Sequence, residues 1–142
     1  MILHAGLITL RVAGAWKGAL IQGPSGVGKS DLALRALDEG FRLVADDRVV
    51  VFVSGGALFG RAPDALRGLI EVRGLGVVRQ TARAISPICL SVRCKPRAEA
   101  VERLPDPCSE SLLGCMLPIL ELWPLEHTAP AKIRRAIENL GA

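Results

Sequence analysis

The sequence of 142 residues has few aromatic side chains: it contains no tyrosine, and aromatic residues make up only 4% of the chain. Proteins that hold single-stranded nucleic acid stack bases on exposed aromatic rings, so we expect no nucleic-acid partner. The sequence also lacks a run of about 18 uncharged apolar residues, the minimum for a membrane-spanning helix. The apolar residues 1–10 lack the basic start of a signal peptide. We therefore expect a cytoplasmic protein with no membrane partner.

Cysteine pairs of the kind that bind zinc are also missing. The four cysteines are Cys89, Cys94, Cys108 and Cys115, and no two of them form a C-x-x-C pair. A zinc site is therefore poorly supported, and a reducing compartment argues against disulfides. Buried free thiols are the expected state, because free cysteine is among the most buried residue types.

Acidic residues are absent between Glu71 and Glu99, although the chain has 14 acidic and 18 basic residues overall. Six basic residues lie in this interval: Arg73, Arg79, Arg83, Arg93, Lys95 and Arg97. Such a segment can attract phosphate or an acidic partner. The alternative is an ordinary solvated face.

The bulk composition favours one folded domain over residues 1–142. Half of the residues are hydrophobic and 23% are charged, which excludes an intrinsically disordered chain, and the length suits a single domain. The apolar pattern predicts strands at 6–12, 16–22, 41–45, 49–53, 57–60, 70–78, 85–93 and 116–123, helices at 30–39, 63–69 and 131–140, and irregular structure over 95–118. The fold class is therefore α/β, with a mixed, β-rich sheet and few helices.

One segment between a predicted strand and a predicted helix matches the phosphate-loop pattern G-x-x-x-x-G-K-[ST] in full. It reads Gly23, Pro24, Ser25, Gly26, Val27, Gly28, Lys29 and Ser30. In this pattern backbone N–H groups and the helix N-terminus face phosphate oxygens, the lysine contacts the β- and γ-phosphates, and the hydroxyl ligates Mg²⁺. Unless it is a chance glycine-rich turn, the segment predicts binding of a nucleoside triphosphate or another polyphosphate.

Two adjacent acids, Asp46 and Asp47, follow an apolar run that starts at Phe41. A strand here delivers the acids beside the phosphate loop, where one can serve Mg²⁺ and the other can act as a general base toward a hydroxyl group. A simple turn between two strands is the alternative. Further along, Glu71 could reach a metal and Arg73 could reach a phosphate. The alternative is that the two residues simply belong to a strand that ends in a glycine turn.

Three blocks together, GPSGVGKS, FRLVADDRV and LIEVRGLGV, resemble the catalytic domain of the bacterial HPr kinase/phosphorylase family over residues 3–104. The resemblance implies a phosphate-loop fold of the phosphoenolpyruvate-carboxykinase type that uses ATP and Mg²⁺. The implied substrate is a serine of the phosphocarrier HPr, and the implied reverse reaction is phosphorolysis that releases pyrophosphate. Since the family forms hexamers, a homo-oligomer is also expected.

The resemblance assigns roles to individual residues. It implies that Asp47 is the catalytic acid/base, that Lys29 is the phosphate-loop lysine, and that His4 and Arg103 lie in the active site. An isolated histidine in an apolar strand is otherwise a structural residue. The implied metal ligands are Ser30 and Glu71, with Asp46 beside them.

Two departures from the family bear on function. The family's common form carries an additional N-terminal domain, so the chain resembles a short form made of the catalytic domain. A proline- and arginine-rich block linked to dephosphorylation reads WPLEHTAP at residues 123–130, which makes phosphorolysis less expected than kinase activity. Two alternatives remain: a nucleotide- or phosphate-sensing module that has lost transfer, and a kinase for a small molecule.

Overall fold

The computed structural model describes residues 1–140, so residues 141 and 142 of the predicted domain lie outside the described residues. Within residues 1–140 the chain forms eleven strands and two α-helices. The strands are β1 Ile2–Leu3, β2 Gly6–Val12, β3 Ala15–Gln22, β4 Arg42–Ala45, β5 Val49–Ser54, β6 Ala57–Arg61, β7 Leu69–Val72, β8 Gly76–Arg79, β9 Ser86–Cys94, β10 Ser109–Leu112 and β11 Cys115–Leu122. The helices are α1 Lys29–Leu37 and α2 Ala129–Glu138, and short 3₁₀ turns occupy Asp64–Leu66 and Ala98–Ala100.

Nine of the strands described form one mixed sheet, and β7 and β8 form a separate hairpin. Strand β9 is the hub of the large sheet: it pairs in parallel with β3 and β11 and antiparallel with β6. From β3 the sheet continues through β2 to β4, with both pairings antiparallel. This mixed, β-rich α/β arrangement confirms the fold class expected from the sequence.

Alternating side chains give the sheet two apolar faces, because successive residues of a strand point to opposite sides. Ile8 and Leu10 of β2 pack with both helices, whereas Leu7 packs with β5 and β6 on the other face. Helix α1 contributes Leu32, Ala33 and Ala36 to the first face. The sheet thus fixes α1 and the loop before it over the ends of β3 and β4.

Three local predictions differ from the structure. The predicted helix at 63–69 is only the 3₁₀ turn, and the predicted strand at 70–78 is the β7–β8 hairpin, which turns through residues 73–75. The prediction of irregular structure over 95–118 was wrong at its end, where β10 forms a hairpin with β11. Leu113 and Gly114, both with positive φ, form its two-residue turn, a geometry that favours hairpins but that leucine rarely indicates.

A polar network holds β10 against the large sheet. Glu110 accepts hydrogen bonds from the Ser91 hydroxyl at 2.8 Å and from Gln22 Nε2 at 3.1 Å, and it pairs with Arg93. Burial alone would raise the pKa of Glu110, but these three partners outweigh it and lower the pKa below its ordinary value. The carboxylate therefore stays charged and anchors β10.

The cysteine expectation is met only in part. Each cysteine is a free thiol in the described part of the chain, but Cys94 alone is buried and Cys108 is exposed. Neither described helix is long and apolar enough to span a membrane.

Candidate functional site

The phosphate-loop segment connects the end of β3 at Gln22 to the start of α1 at Lys29. Its glycines are required by its shape. Gly28 has a φ of +114°, and a Cβ there would lie 2.9 Å from Leu125 Cδ2, while a Cβ on Gly23 would lie 2.9 Å from Cys94 Cβ. The loop is therefore packed closely from two sides, and only glycine fits at these positions.

The Lys29 side chain folds back over this loop. Its Nζ donates hydrogen bonds to the carbonyl oxygens of Gly23, at 2.6 Å, and Pro24, at 3.1 Å. The N-terminal end of α1 faces the same place and carries a partial positive charge. An anion above the loop would meet both charges, and its oxygens can replace the two carbonyl acceptors of Lys29.

Asp46 connects three elements below the loop. It follows β4 and is 6% exposed. Its Oδ1 accepts a hydrogen bond from the Ser30 hydroxyl of α1 at 2.8 Å, and its Oδ2 accepts one from the backbone N–H of Glu71 in β7 at 3.0 Å. Because both carboxylate oxygens are bonded to protein groups, Asp46 positions Ser30 and Glu71.

Asp47 has a different environment, although it is the next residue. It is exposed and has a φ of +67°. The N–H of Arg48 donates to the Asp46 carbonyl at 2.7 Å, which closes a γ-turn centred on Asp47. A γ-turn with positive φ is rare and strained, and such strain is concentrated at functional sites. The turn separates the two acids: Asp46 faces inward and Asp47 faces solvent.

A cleft of about 520 Å³ contains both acids and the loop. It is lined by Ser25, Gly26, Gly28, Lys29, Ser30, Asp31, Leu34, Asp46, Asp47, Glu71, Val72, Arg73 and Leu125. Three chain segments that the sequence analysis singled out, the loop, the acid pair and the Glu71–Arg73 segment, thus meet at one place. His4 and Arg103 are not among the lining residues.

His4 lies in the link between β1 and β2 and is exposed. Leu3 pairs with Val49 and Leu7 pairs with Ala45. The link therefore runs opposite the turn that carries the two acids, which places His4 near the rim of the cleft. Its active-site role stays a prediction.

Arg103 lies in the exposed segment between the 3₁₀ turn Ala98–Ala100 and β10. Within residues 1–140 its side chain forms no hydrogen bond or ion pair. The structure therefore does not bring Arg103 together with the loop and the acids, and its role also stays a prediction.

The contact between the loop and the segment 123–127 is not predicted from the sequence. Arg35 of α1 donates hydrogen bonds to the carbonyl oxygens of Pro124 and Glu126, the latter at 3.1 Å. These bonds hold Leu125 against Gly28 at the edge of the cleft. No sequence signal indicates this contact, because Arg35 on a helix resembles any surface residue and its partners are backbone atoms far along the chain.

The donor set of the cleft suits Mg²⁺, which prefers oxygen ligands and keeps several waters beside substrate phosphates. Ser30, Asp46, Asp47 and Glu71 all supply oxygen atoms here. Among the described residues, however, no three His, Cys, Asp or Glu side chains are grouped closely enough to bind a metal ion by themselves. A magnesium ion would therefore be held by the Ser30 hydroxyl with help from phosphate oxygens, and by the carboxylates directly or through water.

Cys94 lies beneath the loop, against Gly23. Burial raises the pKa of its thiol to about 11, and the nearby Lys29 charge offsets only part of this effect. The thiol is therefore neutral and unreactive at physiological pH. It supports the loop by packing.

Comparison with known proteins identifies the family of the chain. A family model described as the HPr serine kinase C-terminal domain matches residues 2–83. The chain belongs to this family. An HPr kinase/phosphorylase of Leptothrix cholodnii is 42% identical over 110 residues, which is 68% of this chain and 34% of the relative. One from Clostridium perfringens is 46% identical over 65 residues, which is 46% of this chain and 21% of the relative.

The fold comparison extends over nearly the whole chain. The structure of the Hpr(Ser) kinase/phosphatase from Coxiella burnetii superimposes with a TM-score of 0.80 and 25% identity, covering 98% of this chain and 89% of that one. The family resemblance and the fold expected from the sequence are thus confirmed. The chain spans about a third, or less, of the length of the curated relatives it matches.

Proposed function

We propose that the chain, as a single catalytic domain over residues 1–142, is a cytoplasmic kinase that transfers a phosphoryl group from ATP to a serine of an HPr-type phosphocarrier protein. The observation that carries the proposal is the meeting of Lys29, Ser30 and the acid pair in one cleft. The family relationship supports HPr as the partner, since the relatives are named HPr kinase/phosphorylase. A homo-oligomer remains part of this proposal, on the family resemblance alone.

Lys29 and the loop backbone would bind and orient the phosphates. Lys29 would exchange its bonds to the Gly23 and Pro24 carbonyls for bonds to phosphate oxygens. The α1 N-terminus adds positive charge without reorganisation, and such preorganised charge stabilises the transferring group in the transition state.

Ser30 would hold magnesium together with phosphate oxygens, and Asp46 would keep the Ser30 hydroxyl oriented through their 2.8 Å hydrogen bond. Bound magnesium would neutralise charge on the phosphates. Glu71, whose backbone N–H donates to Asp46, also lines the cleft and would supply a further oxygen donor.

Asp47 would accept the proton of the substrate serine. Its carboxylate is at the cleft and is exposed, so an incoming hydroxyl can reach it. As the serine oxygen bonds to the γ-phosphorus, the bond to the ADP oxygen breaks and the serine proton passes to Asp47. Positioning and electrostatics would supply most of the rate gain.

Phosphorolysis would be the weaker activity. The segment 123–127 borders the cleft with Leu125, and its neighbour Glu126 is paired with Lys132. No arginine lies between Trp123 and Pro130 to neutralise inorganic phosphate as a second substrate. Arg35 is nearby, but its guanidinium is bonded to Asp31 and to two backbone carbonyls.

The test is phosphotransfer from γ-labelled ATP to HPr of the same cell, comparing the unchanged chain with Asp47→Asn. Asparagine tolerates positive φ, so this variant should fold and bind ATP but fail to label HPr. Asp38→Asn removes an exposed acid at the far end of α1 and is the matched control, with full activity expected. Full transfer by Asp47→Asn would refute the role of Asp47.

Other outcomes would favour the remaining candidates. ATP binding without any labelled protein would favour a sensing module, and labelling of small hydroxyl compounds but not of HPr would favour a small-molecule kinase. Adding inorganic phosphate to labelled HPr, and measuring pyrophosphate, tests the expected weakness of phosphorolysis.

A further inference from the structure

A second cavity, of about 470 Å³, lies away from the cleft. It is lined by Trp16, Arg42, Thr81, Ala82, Arg83, Ala84 and Ile85, and we call it the Trp16 groove. Arg42 begins β4, whereas Asp46 and Asp47 follow the end of the same strand. The Trp16 groove and the cleft are therefore at opposite ends of β4, and no residue lines both.

Arg83 is the most constrained residue of this groove. Its guanidinium carbon lies 4.2 Å from the centroid of the Trp16 ring, and the Arg83 backbone N–H donates to the Leu43 carbonyl at 2.8 Å. Within residues 1–140 the buried Nε of Arg83 has no hydrogen-bond partner. The Arg83 side chain donates to no protein acceptor within these residues, so its guanidinium N–H groups that face the groove can donate to a bound oxyanion.

One further guanidinium group lines the groove, and another belongs to the cross-strand neighbour of Trp16. Arg42 lines the groove and is exposed. Arg11 pairs directly with Trp16 across the β2–β3 hairpin, and directly paired residues share a face of the sheet. Among the described residues no acid lines the groove, and none of these three arginines forms an ion pair. Positive charge thus accumulates here without compensation.

We propose that the Trp16 groove is a second binding site for a phosphate group, carried by a small phosphorylated molecule or free as inorganic phosphate. Guanidinium groups bind phosphate through paired hydrogen bonds. The charge of a phosphate dianion balances two arginines, whereas that of a single carboxylate balances only one. The cavity volume is in the range of small-molecule sites. This inference does not depend on the proposed kinase activity, because the groove shares no residue with the cleft.

The indole N–H resonance of Trp16 provides a local readout. The chain has two tryptophans, so the Trp123→Phe variant assigns the Trp16 signal in a ¹H–¹⁵N spectrum. The titrants are inorganic phosphate, glycerol 3-phosphate and, at matched ionic strength, sodium chloride. Repeating the titrations in Lys29→Met separates the groove from phosphate binding at the loop.

We expect a saturable shift of the Trp16 signal with at least one phosphate titrant, unchanged in Lys29→Met. Tighter binding of glycerol 3-phosphate would identify a phosphomonoester site, and equal binding would identify a site for phosphate alone. Arg83→Gln should abolish the shift, and Arg42→Gln, on an exposed position, should weaken binding about tenfold or more. Arg67→Gln removes the same charge from an exposed position outside the groove and should have no effect.

Three results would overturn the proposal. These are a shift that chloride reproduces, a phosphate shift that survives both Arg83→Gln and Arg42→Gln, and the absence of a saturable shift with either phosphate titrant.

Discussion

Asp46 should contribute more to stability than an acid beside an exposed turn normally does. Its carboxylate is buried and accepts hydrogen bonds from Ser30 and from the backbone of Glu71. Hydrogen bonds to a charged group contribute roughly 1.5–3 kcal/mol each, and the cost of burying the carboxylate offsets part of the sum. We therefore expect Asp46→Ala to lower the free energy of unfolding by about 2–4 kcal/mol. At roughly 2–4 °C per kcal/mol for a domain of this size, Tm should fall by about 5–15 °C.

Urea unfolding followed by circular dichroism measures this loss, and Asp47→Asn is the matched control. That variant removes one charge from the adjacent, exposed position and should change the free energy of unfolding by less than about 0.5 kcal/mol. A double-mutant cycle with Ser30→Ala should give a coupling of about 1–2 kcal/mol, since the two side chains share a hydrogen bond. Equal losses in Asp46→Ala and Asp47→Asn, or a coupling near zero, would refute the reasoning.

Three other outcomes are expected. Gly28→Ala combines a disallowed φ of +114° with a Cβ 2.9 Å from Leu125, so ATP affinity measured by calorimetry should fall at least about tenfold, the equivalent of roughly 1.4 kcal/mol. Because burial raises the pKa of the Cys94 thiol to about 11, this thiol should resist iodoacetamide at pH 8 until the chain unfolds. The exposed Cys108 should be modified first, and peptide mass spectrometry measures the order of modification. Because the pKa of Glu110 is lowered in the folded state, its stabilising contribution is present above the ordinary glutamate pKa and is lost as pH falls through the folded value. The stability difference between the unchanged chain and Glu110→Gln in urea should therefore be full at pH 7 and should shrink below about pH 4; a difference that stays constant with pH would contradict this assignment.

The parts of the fold that the sequence predicts well depend on local patterns. The strand at 6–12 is found unchanged as β2, and the helix expected at 30–39 is present as α1, Lys29–Leu37. The strand is a short apolar run buried on both faces of the sheet. The helix has a one-sided apolar spacing with a glycine near each end. The phosphate loop is equally local, because its conformation depends on its own glycines and on the two elements it joins.

The parts that the sequence does not predict depend on partners far along the chain. The contact of Arg35 with the carbonyls of Pro124 and Glu126 joins groups about 90 positions apart. Every residue has a backbone carbonyl, so the sequence does not indicate which one accepts a hydrogen bond. Strand β10 was not predicted for a similar reason. It is short and follows a proline-rich stretch, and Glu110 becomes an internal anchor only when Gln22 and Ser91 lie beside it in the folded chain.

The acid pair is a motif whose two members receive different environments only in the tertiary structure. Two adjacent carboxylates in a sequence look interchangeable, and the pattern alone assigns one to metal and one to the proton without a physical reason for the order. The structure offers a reason for the proposed order. Asp46 directly follows β4 and is turned toward Ser30 and Glu71, where both of its oxygens are bonded to protein groups and are poorly placed to take a proton from an incoming hydroxyl. The γ-turn at Asp47 then kinks the chain between β4 and β5 and leaves the second carboxylate exposed at the cleft. Exchange of the two proposed roles would require Asp46 to break its bonds to Ser30 and Glu71, so the bonding of Asp46 supports the proposal that Asp47 accepts the proton.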